Sequence, residues 1–403
     1  MKILVVSQHF YPEPFRINDI CFSLAARGND ITVLTGLPNY PEGRVYEGYR
    51  HGENRDQTVN GVRIIRCHLV GRGKNIIGFG INYVWFAISG ILKANKIEDN
   101  FDLVYSYETS PVSMVYPAIA FKNRKHIPLI INCLDQWPIS VTAGPISDKS
   151  LFYRFLYWMS VRIYSQADLI TITSKLFRKY FEEELGLPAK KYGLVYWPQY
   201  AEDTYQNVGR VDNGIFDLLF AGNIGPASNV EMIIETANVL REDPRLFFHI
   251  VGDGMNREKC EKMAEAYGLT NVRFYGSHPV TEMGTYYELA DAMMITMVDN
   301  PVVNFTLPAK IQSYQAAGRP IAGSINGESM RVIREADCGI CVPAGDVQGF
   351  AEAILQLASD PADTYGRGEK GKQYYLEHFS KDKLLDELED IFAETVRRKE
   401  KAQ

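Results

Sequence analysis

Two segments of the chain carry residue types suited to an anionic ligand. The first, Ala221-Gly222-Asn223-Ile224-Gly225, follows an apolar run and precedes a helical pattern starting near Asn229. Glycines let the backbone approach a phosphate, and a helix N-terminus adds unpaired N–H groups and a positive dipole. A tight strand-to-helix turn explains the same residues about as well. The second, Leu307 to Pro320, places Lys310 two residues after Pro308 at the opening of a helix. An ammonium there gains nothing from the dipole but could face a bound anion; a solvated lysine is the other reading.

Missing motifs narrow the chemistry further. The first apolar run ends in Gln8-His9-Phe10-Tyr11-Pro12-Glu13-Pro14 instead of Gly-x-Gly-x-x-Gly, and Gly78-Phe79-Gly80 lacks the third glycine, so a dehydrogenase fits poorly. Neither a Walker loop, a Gly-x-Ser-x-Gly elbow nor a His-Glu-x-x-His occurs. No Asp-x-Asp is present to hold a divalent metal on a diphosphate, so protein groups must neutralise any such charge. Cys338 and Cys341 have redox or zinc spacing, but no second pair or nearby His joins them, and buried thiols fit better. No metal and no cofactor is expected.

These segments need a scaffold, and 403 residues allow two to three domains with cores of their own. Hydrophobic residues make up 46 % and charged residues 23 %, which excludes a disordered or fibrous chain. Lys plus Arg number 43 against 49 Asp plus Glu, and the formal charge of -6 argues against nucleic acid as a partner. Six scattered cysteines and a first apolar run too short for a signal peptide predict a cytoplasmic protein with reduced thiols.

Short β-branched runs recur at Lys2 to Ser7, Asp30 to Thr35, Val62 to His68, Asp102 to Tyr107, Pro128 to Cys133 and Asp168 to Thr173. Helical patterns such as Asn18 to Ala26 and Leu151 to Gln166 lie between several of them, the alternation of a parallel sheet with crossover helices. A polar stretch, Gln199 to Gly214, has linker composition. A second series follows at Phe216 to Ala221, Leu246 to Val251, Val272 to Gly276, Ala292 to Val298, Pro320 to Gly323 and Gly339 to Val342, with helices at Asn229 to Leu240 and Met330 to Ala336. Ser380 would cap a last helix with Leu384, Leu385, Leu388, Ile391, Phe392 and Val396 on one face. The expected α/β organisation is two Rossmann-like domains, 1–200 and 201–380, with a helix over 381–403 that crosses back to the first. Ligands of such sheets sit beyond the carboxyl ends of the strands, which puts the expected site in the cleft between the domains.

The motifs together resemble glycosyltransferase family 4, retaining enzymes with the GT-B fold. In the first half the resemblance rests on Leu34-Thr35-Gly36-Leu37-Pro38-Asn39-Tyr40-Pro41, Gly61-Val62-Arg63, Asp135-Gln136-Trp137-Pro138 and Ala167-Asp168-Leu169-Ile170, which look like a bacterial branch similar to N-acetylfucosamine transferases. In the second it rests on Ala221 to Gly225, Val251-Gly252-Asp253-Gly254, Pro308-x-Lys310 and Gly318-Arg319-Pro320. It implies a nucleotide sugar held by Gly222, Asn223, Ile224, Gly225, Gly252, Ser313 and Lys310. Lys310 would also act in catalysis by stabilising the diphosphate. Asp135 would be the catalytic carboxylate reaching the transferred sugar or acceptor, with a cap or turn residue as its alternative, and Arg16, Asn39 and Trp137 would lie on the acceptor side. The chain departs from the family where paired glutamates align with Phe305 and Ser313, where the usual Arg and Lys after the glycine loop give way to Asn223 and neutral residues near Ser228, and where the first glycine-rich loop reads Phe15-Arg16-Ile17.

The implied activity is metal-independent, retaining transfer of a hexose-type residue from a nucleotide diphosphate sugar, with UDP the expected nucleotide, to a glycan acceptor in bacterial surface polysaccharide synthesis. A nucleotide-sugar 2-epimerase and a degenerate binding subunit are the rivals. Asn75 to Leu92 runs eighteen residues without a charge, flanked by Arg72, Lys74, Lys93 and Lys96. Reversible docking of residues 72–96 on the inner face of the cell membrane would suit a lipid-linked acceptor. A buried crossover helix is the alternative, and a span fits poorly because Gly78, Gly80, Asn82, Ser89 and Gly90 dilute the run.

Overall fold

The computed structural model describes residues 1–73, 76–143 and 146–402. The chain forms two compact units, Met1–Trp197 with Leu385–Gln403, and Pro198–Leu384.

Unit 1 is built on eight strands: β1 (Lys2–Val6), β2 (Asp30–Thr35), β3 (Asp56–Val59), β4 (Val62–Arg66), β5 (Leu103–Glu108), β6 (Leu129–Cys133), β7 (Leu169–Ile172) and β8 (Leu194–Tyr196). Their order is β3-β4-β2-β1-β5-β6-β7-β8, and every pairing is parallel except β3 with β4. The central strands are apolar on both faces because helices cover both faces. Edge strands β3 and β8 escaped the sequence reading. β3 is a half-exposed Asp-Gln-Thr-Val, yet Asn60 (φ 48°) and Gly61 (φ 79°) form the two-residue left-handed turn that makes a tight hairpin with β4.

The helices that matter for unit 1 are α1 (Arg16–Ala26), α2 (Ile76–Ala94), α3 (Tyr116–Lys125) and α4 (Leu151–Tyr164). α2 crosses α3 closely: a Cβ on Gly90 would lie 2.5 Å from Pro117 Cγ. Asn82, Phe86 and Ala94 are buried on its inner side, while Ile77, Ile81, Val84, Trp85, Ile88 and Leu92 are exposed. Burial as a crossover helix therefore accounts for only one side of α2; Ile77–Ala94 is apolar and long enough to cross a membrane by length and composition, with 28 % of it buried. Lys74, one of the expected flanking cations, lies outside the described residues. The C-terminal helix (Lys381–Ala402) buries Leu385, Leu388 and Phe392, and Phe392 meets Tyr105 edge-on at 5.1 Å. Arg27 pairs with its Asp386 and Glu389, and Lys399 with Asp168 at 3.0 Å.

Unit 2 is a six-stranded, all-parallel sheet: β9 (Phe216–Ala221), β10 (Leu246–Val251), β11 (Val272–Gly276), β12 (Ala292–Thr296), β13 (Ile321–Ser324) and β14 (Gly339–Val342), in the order β11-β10-β9-β12-β13-β14. Leu218, Phe220, Ile250 and Met294 pack under the helix Val230–Val239 through Ile233 and Ile234. The Gln199 to Gly214 stretch is not a free linker. Tyr200 and Tyr205 are buried, Tyr205 stacks on Tyr287 at 4.6 Å, and Arg210 pairs with Asp291 at 2.6 Å. Aromatic anchors inside a polar composition explain the difference. Cys338 is buried and Cys341 half-buried; both are free thiols.

Candidate functional site

In each sheet the connections reverse direction at one point, and the loops leaving the strands there splay apart to form a crevice. In unit 2 that point lies between β9 and β12, in unit 1 between β1 and β5. The residues singled out by sequence collect at these two edges.

In unit 2, β9 ends at Ala221, whose N–H donates to the Tyr314 hydroxyl at 3.2 Å while that hydroxyl donates to the Ala221 carbonyl at 3.3 Å. Tyr314 thus fixes the strand end just before Gly222. The Gly222 N–H donates to Val251 O (2.9 Å) and the Ile224 N–H to Asp253 O (2.9 Å), stitching the loop to the one after β10. A Cβ on Gly252 would fall 1.8 Å from the Gly222 carbonyl, and Gly252 holds φ 139°, so glycine is required for this backbone approach. The Gly252 N–H is itself engaged by Gly276 O (2.7 Å), which makes Gly252 a packing residue in this geometry. The helix expected near Asn229 is present, with Asn229 at its N-cap. A short 3-10 turn, Pro226–Ser228, intervenes, Asn229 is left-handed (φ 44°), and the helix begins at Val230. Ile224 is fully buried, while Gly222 and Asn223 are exposed.

Lys310 opens the helix Ala309–Ala316 behind Pro308, and its Nζ lies 4.3 Å from the centre of the Phe220 ring. Its Nζ would also be 3.0 Å from a Cβ on Gly222, so the cation sits directly over the glycine loop. No carboxylate pairs with it among the described residues, and burial lowers its pKa from 10.5 to about 8. A half-buried ammonium without a counter-ion is poised to take an anion. Ser313, one turn on, is 6 % exposed, and its hydroxyl donates to Ala309 O at 3.2 Å. Its proton serves the helix, which leaves its oxygen to a ligand as an acceptor only.

Unit 1 is organised around carboxylates. Glu13, in the loop from β1 to α1, is 1 % exposed and accepts from the Asn39 N–H (2.7 Å), the Tyr40 N–H (2.6 Å) and lies 3.0 Å from His9 Nδ1. His9 stacks on Phe15 at 4.8 Å. Sequence reading passed over both residues, because a carboxylate between two prolines reads as a solvated loop. Asn39 is fully buried: its side chain donates to Leu37 O and accepts from the Arg72 N–H, so it braces the loop and presents no surface to an acceptor. Arg16 is the first residue of α1, half-buried, and its charge acts on the buried Tyr107 hydroxyl.

Asp135 follows β6 and is half-buried; burial raises its pKa, opposed by a hydrogen bond from Ser110. Ser110 Oγ also accepts from Trp137 Nε1 at 2.7 Å, so Trp137 and Asp135 share one hydroxyl. Behind them Glu108 is fully buried, with its carboxyl pushed well up by burial and by the Asp135 charge; the Tyr164 hydroxyl donates to it at 3.3 Å. Cys133 Sγ donates to Asp135 O at 3.2 Å. The structure therefore joins Asp135 and Trp137 to a network of Glu108, Ser110, Cys133 and Tyr164 that motif spacing did not reveal. Among the described residues, no group of three or more His, Cys, Asp or Glu is arranged to hold a metal ion.

Residues 15–196 match the family described as Glycosyl transferase 4-like domain, and residues 215–360 match Glycosyl transferases group 1. The chain is 23 % identical over 342 residues to WcaI of Escherichia coli K12, named for glycosyl transfer in colanic acid biosynthesis, covering 79 % of this chain and 82 % of that one. Among solved structures, sucrose-phosphate synthase of Thermosynechococcus elongatus superposes with TM-score 0.77 at 14 % identity over 98 % of both chains. Anabaena HepE in complex with UDP-glucose superposes with TM-score 0.70 at 14 % identity over 98 % of this chain and 100 % of that one. With both halves matched to glycosyltransferase domains and both sheets arranged as in the GT-B fold, the chain is a family 4-like glycosyltransferase.

Proposed function

We propose that the protein transfers a sugar, with retention, from a nucleotide diphosphate sugar to a lipid-linked glycan acceptor in bacterial surface polysaccharide synthesis. UDP is the nucleotide favoured. The observation that carries the reading is Lys310: a desolvated ammonium with no carboxylate partner, over a glycine loop at a sheet's reversal point. An anion with two linked phosphates suits that position, because charge-assisted hydrogen bonds to it strengthen as the bond to the leaving phosphate breaks. Asn223 and Gly225 lie in the same loop and offer further N–H groups. The UDP-glucose complex of the structurally similar HepE supports the choice of nucleotide, and the naming of WcaI for colanic acid synthesis supports a polysaccharide product.

In unit 1, Asp135 orients the acceptor hydroxyl or the transferred sugar, held in place by Ser110 and backed by the Glu108 carboxyl, whose pKa burial raises. A leaving phosphate oxygen takes the acceptor proton, so no protein nucleophile and no metal is required. N-acetylfucosamine-transferase-like specificity is part of the proposal. So is a cytoplasmic location at the inner membrane face, with residues 72–96 in peripheral contact.

A thermal-shift panel of UDP, GDP, ADP and their sugar conjugates tests the donor: UDP or a UDP-sugar should raise the melting temperature most, since a ligand of the native state stabilises by mass action. No shift with any nucleotide would overturn the donor reading. Proton NMR of the product's anomeric centre reads retention, and activity should persist in chelator. Turnover of a nucleotide sugar to its 2-epimer without acceptor would instead establish the isomerase, and absence of nucleotide release in every acceptor mixture the binding subunit.

A further inference from the structure

Unit 1 contains an apolar groove of about 620 Å³, within the range of roughly 300–1,000 Å³ that encloses small ligands. Phe79, Tyr83 and Ile88 of α2 line it opposite Phe152 and Phe155 of α4, with Trp137 also on its wall. The apolar surface continues outward, where Ile77, Val84, Leu92 and Leu151 are 60–80 % exposed. A soluble surface rarely leaves so much contiguous apolar area uncovered without a binding purpose.

Three observations specify the occupant. First, charge is segregated within the helices: neither α2 nor α4 contains an Asp or Glu, whereas Lys93, Arg154 and Arg162 lie within them; at their ends Arg72, Lys96 and Lys149 stand together with Glu98, Asp99 and Asp148, in a chain of net charge -6. Second, Arg72 stands beside the groove. Its guanidinium is 5.3 Å from the ring centre of Phe79, itself a groove residue, and 4.5 Å from that of Tyr40. It donates to Pro41 O at 3.3 Å, its Nε has no partner, and no carboxylate pairs with it among the described residues. Third, the groove lies beside the candidate acceptor carboxylate: Trp137 on its wall shares Ser110 with Asp135, and the Asp135 charge acts on Tyr83, another wall residue.

We infer that the α2/α4 groove seats the hydrocarbon chain of a phosphate-bearing lipid, with Arg72 pairing the phosphate and the attached glycan directed to Asp135. This rests on the lipid-linked acceptor proposed above. An amphiphile with an aliphatic tail and an anionic head is the ligand class whose two halves match an apolar channel bordered by an unpaired guanidinium. The surrounding cations favour delivery from an anionic membrane surface.

The test titrates the purified full chain with dodecyl phosphate below its micellar concentration, with dodecanol and inorganic phosphate as comparisons, read by tryptophan fluorescence. Dodecyl phosphate is expected to bind at least tenfold more tightly than either comparison. Phe155→Asp, at a half-exposed site, should weaken it at least tenfold, and Arg72→Ala should bring dodecyl phosphate down to the level of dodecanol. Circular dichroism and a melting temperature within error of the parent protein would certify that both variants are folded. Equal binding of dodecyl phosphate and dodecanol, or affinity insensitive to both variants, overturns the assignment. So does binding to vesicles of phosphatidylglycerol without binding of monomeric dodecyl phosphate, which would make the face a bilayer contact only. The lipid-linked acceptor reading fails separately, if transfer to a glycosyl phosphate is no faster when it carries a dodecyl chain while dodecyl phosphate still binds the groove.

Discussion

The two sheet edges that carry the candidate residues solve opposite electrostatic problems. At the β9/β12 edge of unit 2 the loops close backbone on backbone, with Gly252 against the Gly222 carbonyl, and leave one cation, Lys310, without a carboxylate. At the β1/β5 edge of unit 1 the acidic groups are held by their neighbours: Glu13 by two N–H groups and His9, Asp135 by Ser110, and Glu108 by Tyr164 at one oxygen, its Oε1 having no hydrogen-bond partner among the described residues. An uncompensated cation gains most from an anion, because desolvation has already been imposed on it. Carboxylates held by their neighbours gain little from a further cation, but they are fixed in place to orient a neutral hydroxyl. On the proposed function, the charged half of the reaction falls to unit 2 and the positioning half to unit 1.

The largest effect should come from breaking the unit 1 side at its one substrate-facing carboxylate. Asp135→Asn keeps the shape and the bond to Ser110 but removes the charge, and a group that positions a proton is worth roughly 10²–10⁴-fold in turnover. Thermal shifts with UDP should stay within error of the parent protein. Turnover close to normal with both substrates saturating would remove Asp135 from the reaction, and a lost UDP shift would erase the division between the two edges.

Breaking the unit 2 side should do the reverse. Lys310→Ala removes a charged hydrogen-bond partner of the diphosphate, worth about 1.5–3 kcal/mol, or roughly 10- to 150-fold in UDP affinity. Calorimetry on the folded variant reads this directly. Affinity within twofold of the parent would show that the loop amides alone hold the nucleotide.

The same contrast explains what the sequence made legible. Unit 2's edge is written in local signals: a glycine pair that permits close backbone approach, a proline that opens a helix, and a lysine next to it. The bounds of β9, β10, β11 and β14 could be read to the residue, since each is a largely apolar run bounded by polar or glycine positions. Unit 1's edge depends on residues far apart in the chain. Glu13 meets Asn39 and Tyr40 across 26 and 27 residues, and Glu108 meets Tyr164 across 56, so no window of sequence contains either contact. Asn39 was legible as a motif residue, but its complete burial was not, because it depends on Arg72 and the Leu37 carbonyl closing over it. The edge strand β3 was missed for a different reason: its Asn60-Gly61 turn was present, but its strand residues alternate without a buried apolar face.

Glu13 sharpens the comparison through stability. Glu13→Gln can keep one carbonyl oxygen for both N–H groups, which share Oε1, but makes those bonds neutral and turns an NH2 toward His9, a loss of about 1 kcal/mol. For a unit of this size that lowers the melting temperature by roughly 2–4 °C. Differential scanning calorimetry should show the loss, with acceptor KM raised and UDP affinity unchanged. An unaltered melting temperature would mean that Glu13 does not hold the Asn39 loop.

A pH dependence belongs to unit 2 alone. Without ligand, Lys310 has its pKa lowered to about 8 by burial, so above that pH an increasing share of the protein carries a neutral amine over the glycine loop. The diphosphate diester of a UDP-sugar has no proton to exchange in this range and favours the charged amine; the uracil N3–H begins to ionise only at the top of it, an effect that would survive substitution of Lys310. Proton binding and donor binding are therefore linked, and donor affinity should hold level below pH 8 and fall by roughly tenfold between pH 7 and pH 9. The sign for folding is the opposite. An unfolded lysine keeps its proton up to about 10.5, so between the two values the unfolded chain binds more protons and this group's contribution to stability rises with pH. The buried thiols Cys67 and Cys338, raised to about 11, act against it by holding protons in the folded state that the unfolded chain releases near 9. Melting temperature would mix these terms, whereas calorimetric donor affinity isolates Lys310. The fall should vanish in Lys310→Ala and shift to higher pH in Lys310→Arg, whose guanidinium stays charged; a tenfold fall that survives both substitutions would place the titrating group elsewhere.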